Sequence, residues 1–419
     1  MSQLLDIAHC VLKKIDPYLL VKEYIQSVDL GGFKDMYVIG AGKGTARMAE
    51  AIEDHFGNEI KGGLIIIPEN EKTPNLERIN YTYASHPYPN SNGVDGAKKI
   101  LEMANNASPG DLVISLISGG GSALMCLPVD GISLKEKIDT TSLLIKSGAN
   151  INEINTVRKH ISGIKGGFLA QAIYPARGIN IVISDVIGDD LSTIASGPLS
   201  PDETTFKDAY SVLEKYELLD KVPTSVISYI QGNNPETIKS NSGVFDLIET
   251  TILANHQTVA NFAKECCEAN KLSAEILMAD CSGECREKAA DILWEINELN
   301  KVYIVAGEMT VTIKGKGMGG RNQEFVLACL NEIETNLKWE KFNILAIGTD
   351  GVDGICPQKI AGATANEGTL RAAKDAQLSM QTFLDNNDSF HFFEKTEGLV
   401  ITGPTGTNLG DLMLIQRLG

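Results

Sequence analysis

The stretch "DLVISLISGGGSALMCLP", residues 111–128, decides how this chain folds. Its first half is a nearly continuous apolar run, which is typical of a parallel strand that is covered on both faces. Three consecutive glycines and Ser122 follow at the point where a strand would lead into a helix. A tight turn needs one or two glycines, so the run indicates that another group comes close to the backbone there. The stretch therefore predicts a strand, a glycine loop and a helix.

The same alternation of short apolar strands and helix-length segments continues along the chain and predicts an α/β fold. Ligands of such sheets bind outside the carboxyl ends of the strands, so the informative residues should follow the apolar runs. A polar segment without periodicity, 230–244, is interpreted as a linker or domain boundary. A second series is predicted to begin with a strand at 248–255 and to end with one at 399–407. The first series has predicted strands at 35–41, 62–68, 81–86, 111–118 and 179–186.

The composition is that of an ordinary globular protein: of 419 residues, 43% are hydrophobic and 22% charged. The net charge of −17 argues against nucleic acid or an anionic membrane surface as the main partner. No apolar run reaches the roughly 20 residues of a membrane span, and the N-terminus lacks the apolar core of a signal peptide. We therefore expect a cytoplasmic protein.

Eight cysteines are scattered through the sequence, and only Cys281 and Cys285 are closely spaced. No second pair or histidine lies nearby to complete a zinc site. We expect core or surface thiols, with no metal site and no disulfide framework.

Two glycine loops follow predicted strands and indicate anion binding. "VIGAGKGTARMAEAIE" (38–53) places Lys43 among Gly40, Gly42 and Gly44, but Thr45 stands where a dinucleotide fingerprint needs its third glycine. Backbone N–H groups at a helix start, together with one lysine, form an anion site. The alternative is a tight turn with a solvated lysine. The second loop is a candidate phosphate cradle, and its Ser118 is also a candidate substrate ligand. The alternative for this loop is close packing. The loop consists of Ser118, Gly119, Gly120, Gly121 and Ser122.

A basic cluster interrupts this acidic sequence in "NTVRKHISGIKGG" (155–167). Arg158 and Lys165 are candidates for holding a carboxylate or phosphate. The alternative is a solvated helix face, to which Lys159 and His160 would also belong.

Acidic residues follow two predicted strands. Asp185 and Asp189 in one loop and Asp350 in "GTDGVDG" (348–354) are candidate magnesium ligands, because carboxylates at such an edge must be paired, hydrated or metal-bound. For Asp190, capping of a helix is the alternative.

Further candidates lie in the second half of the chain. Arg321 begins a predicted helix, where its charge opposes the helix dipole, so binding an anion would account for its position. Its neighbour Asn322 is a candidate substrate ligand. Candidate nucleotide-binding residues are Gly319, Gly320, Thr405 and Asn408. The sequence thus contains several candidate anion sites in glycine-rich loops, and we find no catalytic Ser-His or Cys-His pair. This combination favours phosphoryl transfer as the reaction class.

The ordered motifs resemble the glycerate 2-kinases of the MOFRL-domain type over essentially the whole chain. The matching stretches are "GAGKGTA", "SHPYPNSNG", "SGGGSALMCLP", "INTVRKHISGIKGG", "SDVIGDDLSTIASGP", "GGRNQE", "GTDGVDG" and "TGPTGTNLGDL".

The resemblance implies ATP-dependent phosphorylation of D-glycerate to 2-phosphoglycerate, with Mg²⁺. It also implies a larger Rossmann-like domain (1–237), a smaller C-terminal α/β domain (238–419) and an active cleft between them. Lys43 and Arg321 match the lysine and arginine that matter for activity in the family, and we expect them to hold the glycerate carboxylate or the transferred phosphoryl group. We expect Asp185 or Asp189 to accept the C2 hydroxyl proton and select Asp189 as the catalytic candidate. D-glycerate and ATP are the expected partners, and a homodimer stays open.

Family members have often been named hydroxypyruvate reductases, so an NAD(P)H-dependent reductase is the alternative function. The incomplete dinucleotide fingerprint argues against it.

Overall fold

The computed structural model describes residues 2–69 and 71–419. Its strands are β1 (Met36–Ala41), β2 (Ile60–Pro68), β3 (Ile79–Ala84), β4 (Leu112–Ile117), β5 (Arg177–Ile183), β6 (Ile248–Ala254), β7 (Ser273–Glu284), β8 (Lys301–Thr310), β9 (Phe342–Gly348), β10 (Gly362–Asn366), β11 (Leu399–Val400) and β12 (Asp411–Arg417). Its α-helices are α1 (Ser2–Lys14), α2 (Pro17–Ser27), α3 (Thr45–Phe56), α4 (Ser91–Asn105), α5 (Gly121–Leu124), α6 (Leu134–Lys146), α7 (Ile151–His160), α8 (Phe168–Ile173), α9 (Phe206–Lys215), α10 (Thr224–Gln231), α11 (His256–Ala269), α12 (Cys285–Glu295), α13 (Arg321–Glu332), α14 (Glu367–Asp375), α15 (Met380–Asp385) and α16 (Ser389–Lys395).

The first of two compact units, Pro17–Leu253, is called the parallel-sheet unit here. Its sheet has the strand order β3-β2-β1-β4-β5-β6. Strands β1 to β5 pair in parallel, and β1 and β4 are neighbours near the middle. The predicted α/β fold with a parallel sheet is confirmed.

The apolar runs of the sequence form the core of this unit. All six residues of β4 are buried. Ile39 of β1 and Val113 and Ile117 of β4 belong to the same buried cluster as Ile100 and Ala104 of α4. Burying this apolar surface is the main favourable contribution to folding, and it fixes the carboxyl ends of β1 and β4 side by side.

The second compact unit, called the mixed-sheet unit, combines the chain through Asp16 with Ala254–Gly419. Its sheet has the order β11-β10-β9-β12-β8-β7. Strands β7 and β8 are parallel, whereas β12 is antiparallel to both β8 and β9.

The division between the units differs from the predicted one at 237/238. Strand β6, predicted to open the second series, lies at the edge of the first sheet. The segment predicted as a linker is bound to the parallel-sheet unit by two backbone hydrogen bonds. The Ile238 N–H donates to the Gly166 carbonyl (3.0 Å), and the Asp202 N–H donates to the Ile238 carbonyl (2.9 Å). The division therefore falls between Leu253 and Ala254.

The predicted last strand at 399–407 is wrong beyond its first two residues, because only β11 forms there. The sequence analysis did not predict β12, which occupies a central position between β9 and β8. Its residues from Asp411 to Ile415 are buried, yet the run follows a polar glycine loop and lacks a helix before it. The α/β alternation that identified most of the other strands was therefore absent. Strand β10 was not predicted either.

The expectation of thiols without disulfides is wrong for one pair of cysteines. Cys10 of α1 and Cys266 of α11 form a disulfide within the mixed-sheet unit. The two residues are 256 positions apart in sequence. Only the packing of α1 on α11 brings them together, so their spacing carried no signal.

In the described part of the chain, helices that combine the length and the apolar character needed to cross a membrane are absent.

We predict that Gly40→Ala destabilises the parallel-sheet unit. A Cβ at this position in β1 would lie 2.2 Å from the Leu116 carbonyl oxygen of β4. Overpacking of this kind costs about 1–3 kcal/mol. Urea denaturation should show that loss for Gly40→Ala. The matched control, Gly62→Ala in β2, has open space at its Cβ and should change the free energy of unfolding by less than about 0.5 kcal/mol. Equal effects would contradict the close strand contact.

Candidate functional site

The glycine loops after β1 and β4 are bound directly to each other. The Lys43 N–H donates to the Gly119 carbonyl (2.9 Å). The Ser118 hydroxyl accepts from the Gly44 N–H at 3.0 Å and also lies 3.0 Å from the Thr45 hydroxyl. Because β1 and β4 are parallel neighbours, their carboxyl ends share one edge of the sheet. The two predicted anion loops therefore form one surface.

Close packing explains several of the glycines. Gly42 has φ +149°, and a Cβ there would lie 2.0 Å from the Ser118 hydroxyl oxygen. Gly120 has φ +84°, and its Cβ would lie 2.9 Å from the His86 ring. The groups that approach the backbone are thus the neighbouring loop and a histidine from the loop after β3. The packing alternative holds for these glycines, and it does not exclude a ligand on the outer side of the loops.

Lys43 lies half-buried between these glycines, just before α3. No side chain caps the start of α3. Burial raises the pKa of the neighbouring Glu71 carboxyl to about 8, although the Lys43 charge acts to lower it. Lys43 is therefore within electrostatic reach of Glu71, which the sequence analysis did not select.

A cavity of about 340 Å³ adjoins the glycine loop after β4. It is lined by Ser122 of that loop and by three cationic side chains, Lys137, Arg158 and Lys165. His86 lies on the same cavity wall. In a chain with a net charge of −17, this cavity concentrates positive charge and is suited to a small anion.

Lys165 is buried, with 1% of its surface exposed. Its ammonium donates to the Ser122 hydroxyl (3.2 Å) and to the Ala195 carbonyl (2.8 Å). Burial, together with the charges of Lys137 and Arg158, lowers the pKa of Lys165 to about 7. The predicted substrate residue is thus fixed beside the glycine loop.

Lys137 of α6 is a cavity residue that the sequence analysis missed. It is 4% exposed and donates to the carbonyls of Arg158 (3.0 Å) and Ile161 (2.7 Å) at the end of α7. Burial lowers its pKa to about 8. One signal was available: in "LKEKIDTTSLL" Lys137 lies three residues after Leu134 and seven before Leu144, on the apolar face of the helix.

The basic cluster of α7 divides between two roles. Arg158 lines the cavity. Lys159 forms a buried ion pair with Asp202 (2.8 Å). His160 lies between the Thr156 carbonyl (2.7 Å) and the Glu236 carboxylate (3.1 Å). Lys159 and His160 therefore stabilise the unit, and only Arg158 is available to the cavity.

A backbone segment with positive φ supports the cavity. Ala195, Ser196 and Gly197 have φ values of 50°, 61° and 65°. The Ser196 hydroxyl donates to Asn155 (3.0 Å) and lies 2.8 Å from that of Ser122. Strain of this kind persists only where surrounding contacts hold it, and here it presents the Ala195 carbonyl to Lys165.

The acidic residues after β5 also divide. Asp190 accepts from the Ser192 N–H (2.9 Å) and from the Ser192 and Thr193 hydroxyls, so its carboxylate binds the turn that follows it. The predicted helix cap is wrong, because the short 3-10 helix Ile194–Ser196 has Thr193 at its N-cap position and no side-chain cap. Asp185 follows β5 at the loop end of the sheet and is half-buried, as is Asp189. Among the described residues, neither belongs to a cluster of three closely spaced metal-ligand side chains.

In the mixed-sheet unit, Arg321 binds carboxylates of the protein itself. Its Nε lies 2.8 Å from Asp411, and its Nη1 donates to Glu308 at 2.9 Å. Burial acts to lower the pKa of the Arg321 guanidinium. The carboxylates of Asp411 and Glu308 have the larger, opposite effect and raise that pKa. The sequence analysis predicted an anion near Arg321, and the structure supplies one from within the chain.

Asp353 anchors the start of α13. Its carboxylate accepts from the N–H groups of Asn322 (2.9 Å) and Gln323 (2.8 Å). The Asn322 amide donates to Asp353 (3.2 Å) and Asp411 (2.8 Å). The amide nitrogen of the buried Asn322 side chain therefore belongs to this network, whereas its amide oxygen has no hydrogen-bond partner among the described residues.

The glycine loop before α13 is closely packed as well. The Gly319 N–H donates to the Ile355 carbonyl (3.0 Å). A Cβ at Gly319 would lie 2.1 Å from the Ser389 hydroxyl oxygen, and one at Gly320 would lie 2.4 Å from Asp353. These contacts explain both glycines without a nucleotide.

The remaining predicted residues lie on loops of the same unit. Asp350 accepts from the Val352 N–H (3.0 Å). The Thr405 hydroxyl donates to the Thr349 carbonyl (2.6 Å). Asn408 is half-buried in the loop before β12. The predicted residues thus fall into two groups, one in each unit, and their convergence on one cleft stays a prediction.

Comparisons with known proteins agree with one another over most of the chain. Residues 3–231 match the family described as "Domain of unknown function (DUF4147)", and residues 301–411 match the MOFRL family. The chain is 35% identical over 419 residues to a protein of Thermotoga maritima named D-glycerate 2-kinase, covering 98% of this chain and 96% of that protein.

A solved structure and a second relative extend the comparison. The crystal structure of glycerate kinase from Thermotoga maritima has a TM-score of 0.89 and 34% identity, covering 100% of this chain and 99% of that one. A protein of Agrobacterium vitis, 36% identical over 400 residues and covering 90% of this chain and 98% of its own, has a name that proposes hydroxypyruvate reductase activity.

We predict that Arg321 and Asp411 are energetically coupled. Arg321→Met would leave the fully buried Asp411 without its cation, which costs about 3–5 kcal/mol. The double variant Arg321→Met/Asp411→Asn should lose less than the sum of the single variants, as measured by denaturant unfolding. Arg371→Met, at a 75% exposed side chain, is the control and should cost less than about 0.5 kcal/mol. Additive losses would show that Arg321 does not balance Asp411.

Proposed function

The chain belongs to the glycerate 2-kinase family, and from this premise we propose which of its residues carry the reaction. It is a kinase that phosphorylates the C2 hydroxyl of D-glycerate and forms 2-phosphoglycerate. Kinase activity implies ATP as the phosphate donor. The observation that supports the assignment below is the cation-lined cavity beside two joined glycine loops.

Glycerate is assigned to this cavity. Its carboxylate is an anion, and Arg158 and Lys165 provide charged donors in a largely buried setting, where charge-assisted hydrogen bonds are strong. Ser122 adds a hydroxyl beside Lys165. Ser118, predicted as a substrate residue, acts by joining the two loops.

The phosphates of ATP are assigned to the glycine loops. The donors proposed for the phosphate chain are the Lys43 ammonium and the N–H groups in the first turn of α3, which has no side-chain cap. The N–H groups of Lys43 and Gly44 are already bound by the second loop. The second loop contributes Gly119, Gly120, Gly121 and Ser122 around the uncapped start of α5. Lys43 would stabilise the charge of the transferred phosphoryl group.

The mixed-sheet unit contains the remaining candidate site residues. Arg321 is kept as a catalytic residue on the family resemblance, with its side chain oriented by Asp411 and Glu308. The roles proposed for Asn322, as a substrate ligand, and for Thr405 and Asn408, as nucleotide ligands, rest on their positions next to glycine-rich loops of the sequence. Gly319 and Gly320 are proposed to shape the backbone before α13.

Magnesium is assigned to Asp185, with Asp189 as second ligand and as the acceptor of the C2 hydroxyl proton. Mg²⁺ binds through one or two carboxylates, waters and substrate phosphates, so the absence of a closed protein cage suits it. The carboxylates follow the strand end nearest the glycine loops, since β4 and β5 are neighbours. Mg²⁺ would neutralise phosphate charge. Asp350 of the mixed-sheet unit is also proposed as a Mg²⁺ ligand, because its carboxylate follows the end of β9.

We predict that Lys43→Met lowers kcat roughly 100- to 1,000-fold, because one preorganised cationic donor is lost from the transition state. ADP release with D-glycerate measures the rate, and phosphorus NMR identifies the 2-phosphate. Lys34→Met, at an exposed lysine, is the control and should retain full activity. Unchanged turnover in Lys43→Met would remove the assigned role. NADH consumption with hydroxypyruvate, in place of ADP release with glycerate, would favour the reductase.

We predict that Asp185→Asn raises the Mg²⁺ concentration for half-maximal rate roughly 10- to 100-fold, because a charged oxygen ligand is lost. Titrating Mg²⁺ at fixed ATP and glycerate measures the change. Asp190→Asn is the matched control in the same loop, because the Asp190 carboxylate already accepts hydrogen bonds from the Ser192 N–H and the Thr193 hydroxyl. An equal Mg²⁺ requirement in both variants would refute the assignment to Asp185.

A further inference from the structure

The cation-lined cavity holds positive charge that the chain does not balance. Lys137, Arg158 and Lys165 all line it, and none of its lining residues is an aspartate or glutamate. Across residues 2–69 and 71–419, none of these three cations forms an ion pair with a carboxylate. The neighbouring Lys159, by contrast, has Asp202 at 2.8 Å. The fold therefore pairs one buried lysine of this region and leaves two unpaired.

Each of the two unpaired lysines retains a donor. The Lys137 ammonium has three N–H groups and uses two, on the carbonyls of Arg158 and Ile161. The Lys165 ammonium likewise uses two, on the Ser122 hydroxyl and the Ala195 carbonyl. The donors that remain belong to side chains that line the same cavity. Their chemistry is that of a receptor for an oxyanion.

Burying an ion without a counter-ion is costly, and proteins neutralise or pair such groups. Burial lowers the pKa values of Lys137 and Lys165 to about 8 and about 7. The groups that face Lys165 are Cys126 after α5, Lys137 of α6, Arg158 of α7 and His86 after β3. Cys126 acts to raise the pKa of Lys165, but burial and the charges of Lys137 and Arg158 outweigh it.

We propose that Lys137 is a substrate-binding residue that, with Arg158 and Lys165, selects an acceptor carrying a carboxylate, and that this anion supplies the missing counter-charge. The inference deepens the proposed function and rests on the placement of glycerate in this cavity. The bound anion favours the protonated lysines, so binding takes up protons.

The direction of the pH dependence follows from linkage. Because the pKa of Lys165 is about 7, the protonated fraction of Lys165 in the free protein falls as the pH rises above neutrality. The glycerate carboxylate stays ionised over the same range. Binding must then restore the proton, so affinity for glycerate falls as the pH rises from about 7 to 9, by up to tenfold per pH unit for each proton taken up.

Calorimetric titration of the wild-type protein with D-glycerate at pH 8 tests the coupling without a variant. In buffers of different ionisation enthalpy, the observed binding heat should change in proportion, with an uptake of about one proton per glycerate. Identical heats in all buffers would overturn the proposed coupling. Glycerol, which lacks the carboxylate, should neither bind at comparable concentration nor take up a proton.

Variants of Lys137 test its role in binding. Lys137→Met removes the charge and the hydrogen bonds to α7, whereas Lys137→Gln removes the charge and keeps an N–H donor for those carbonyls. Both should raise the KM for glycerate roughly 10- to 100-fold with a smaller change in kcat. Lys135→Met is the matched control on α6, because that side chain is 82% exposed. A wild-type KM in Lys137→Gln would overturn the proposal, even if Lys137→Met is unstable.

The failure of this inference and that of the proposed function give different results. If the wild type forms 2-phosphoglycerate but the Lys137 variants keep its KM, the kinase assignment stands and the role of Lys137 is wrong. If the wild type forms no phosphoglycerate, the proposed function fails. D-glycerate binding that is weakened in Lys137→Gln would then still place a carboxylate in the cavity.

Discussion

The contact between the loops after β1 and β4 is the constraint on which the candidate site depends. Parallel pairing places the carboxyl ends of the two strands side by side, and Ser118 and the Gly119 carbonyl then bind the backbone of the first loop. Side chains at Gly42 or Gly120 would collide with Ser118 or His86. Lys43 and Ser122 are positioned by this backbone, and so is one wall of the cavity. A shift of either loop would move both the proposed phosphate and glycerate positions.

Charge is distributed differently in the two units. In the parallel-sheet unit, buried lysines line a cavity that contains no carboxylate, and the most economical explanation is a ligand that carries the opposite charge. In the mixed-sheet unit, Arg321 is already bound by Asp411 and Glu308, and Asp353 satisfies the start of α13. The first arrangement leaves N–H donors of Lys137 and Lys165 without a partner within the part of the chain that the structure describes. The second holds the Arg321 guanidinium in one orientation between two carboxylates.

Sequence reasoning identified the loops better than it identified the partners of their side chains. It predicted the β1 and β4 loops, because each follows an apolar run and contains several glycines. It selected Arg158 and Lys165, which line the cavity, as candidate ligands for an anion. The contacts of Lys159 with Asp202 and of His160 with Glu236 could not be predicted from the short basic segment that contains all four residues. Lys137 was missed because a single lysine on the apolar face of a helix is a weak signal beside such a cluster.

The sequence by itself determined the α/β class, the parallel strands β1 to β5 of the first unit, most helices and the glycine loops that contain the candidate site residues. These features depend on local periodicity and on glycine, which act over a few residues. The tertiary structure alone decided that β12 lies at the centre of the second sheet, that Cys10 pairs with Cys266, and which cations are neutralised. Lys159 with Asp202 and Arg321 with Asp411 are pairs formed across long stretches of chain. Whether a buried charge is balanced depends on such distant neighbours, and no local pattern encodes them.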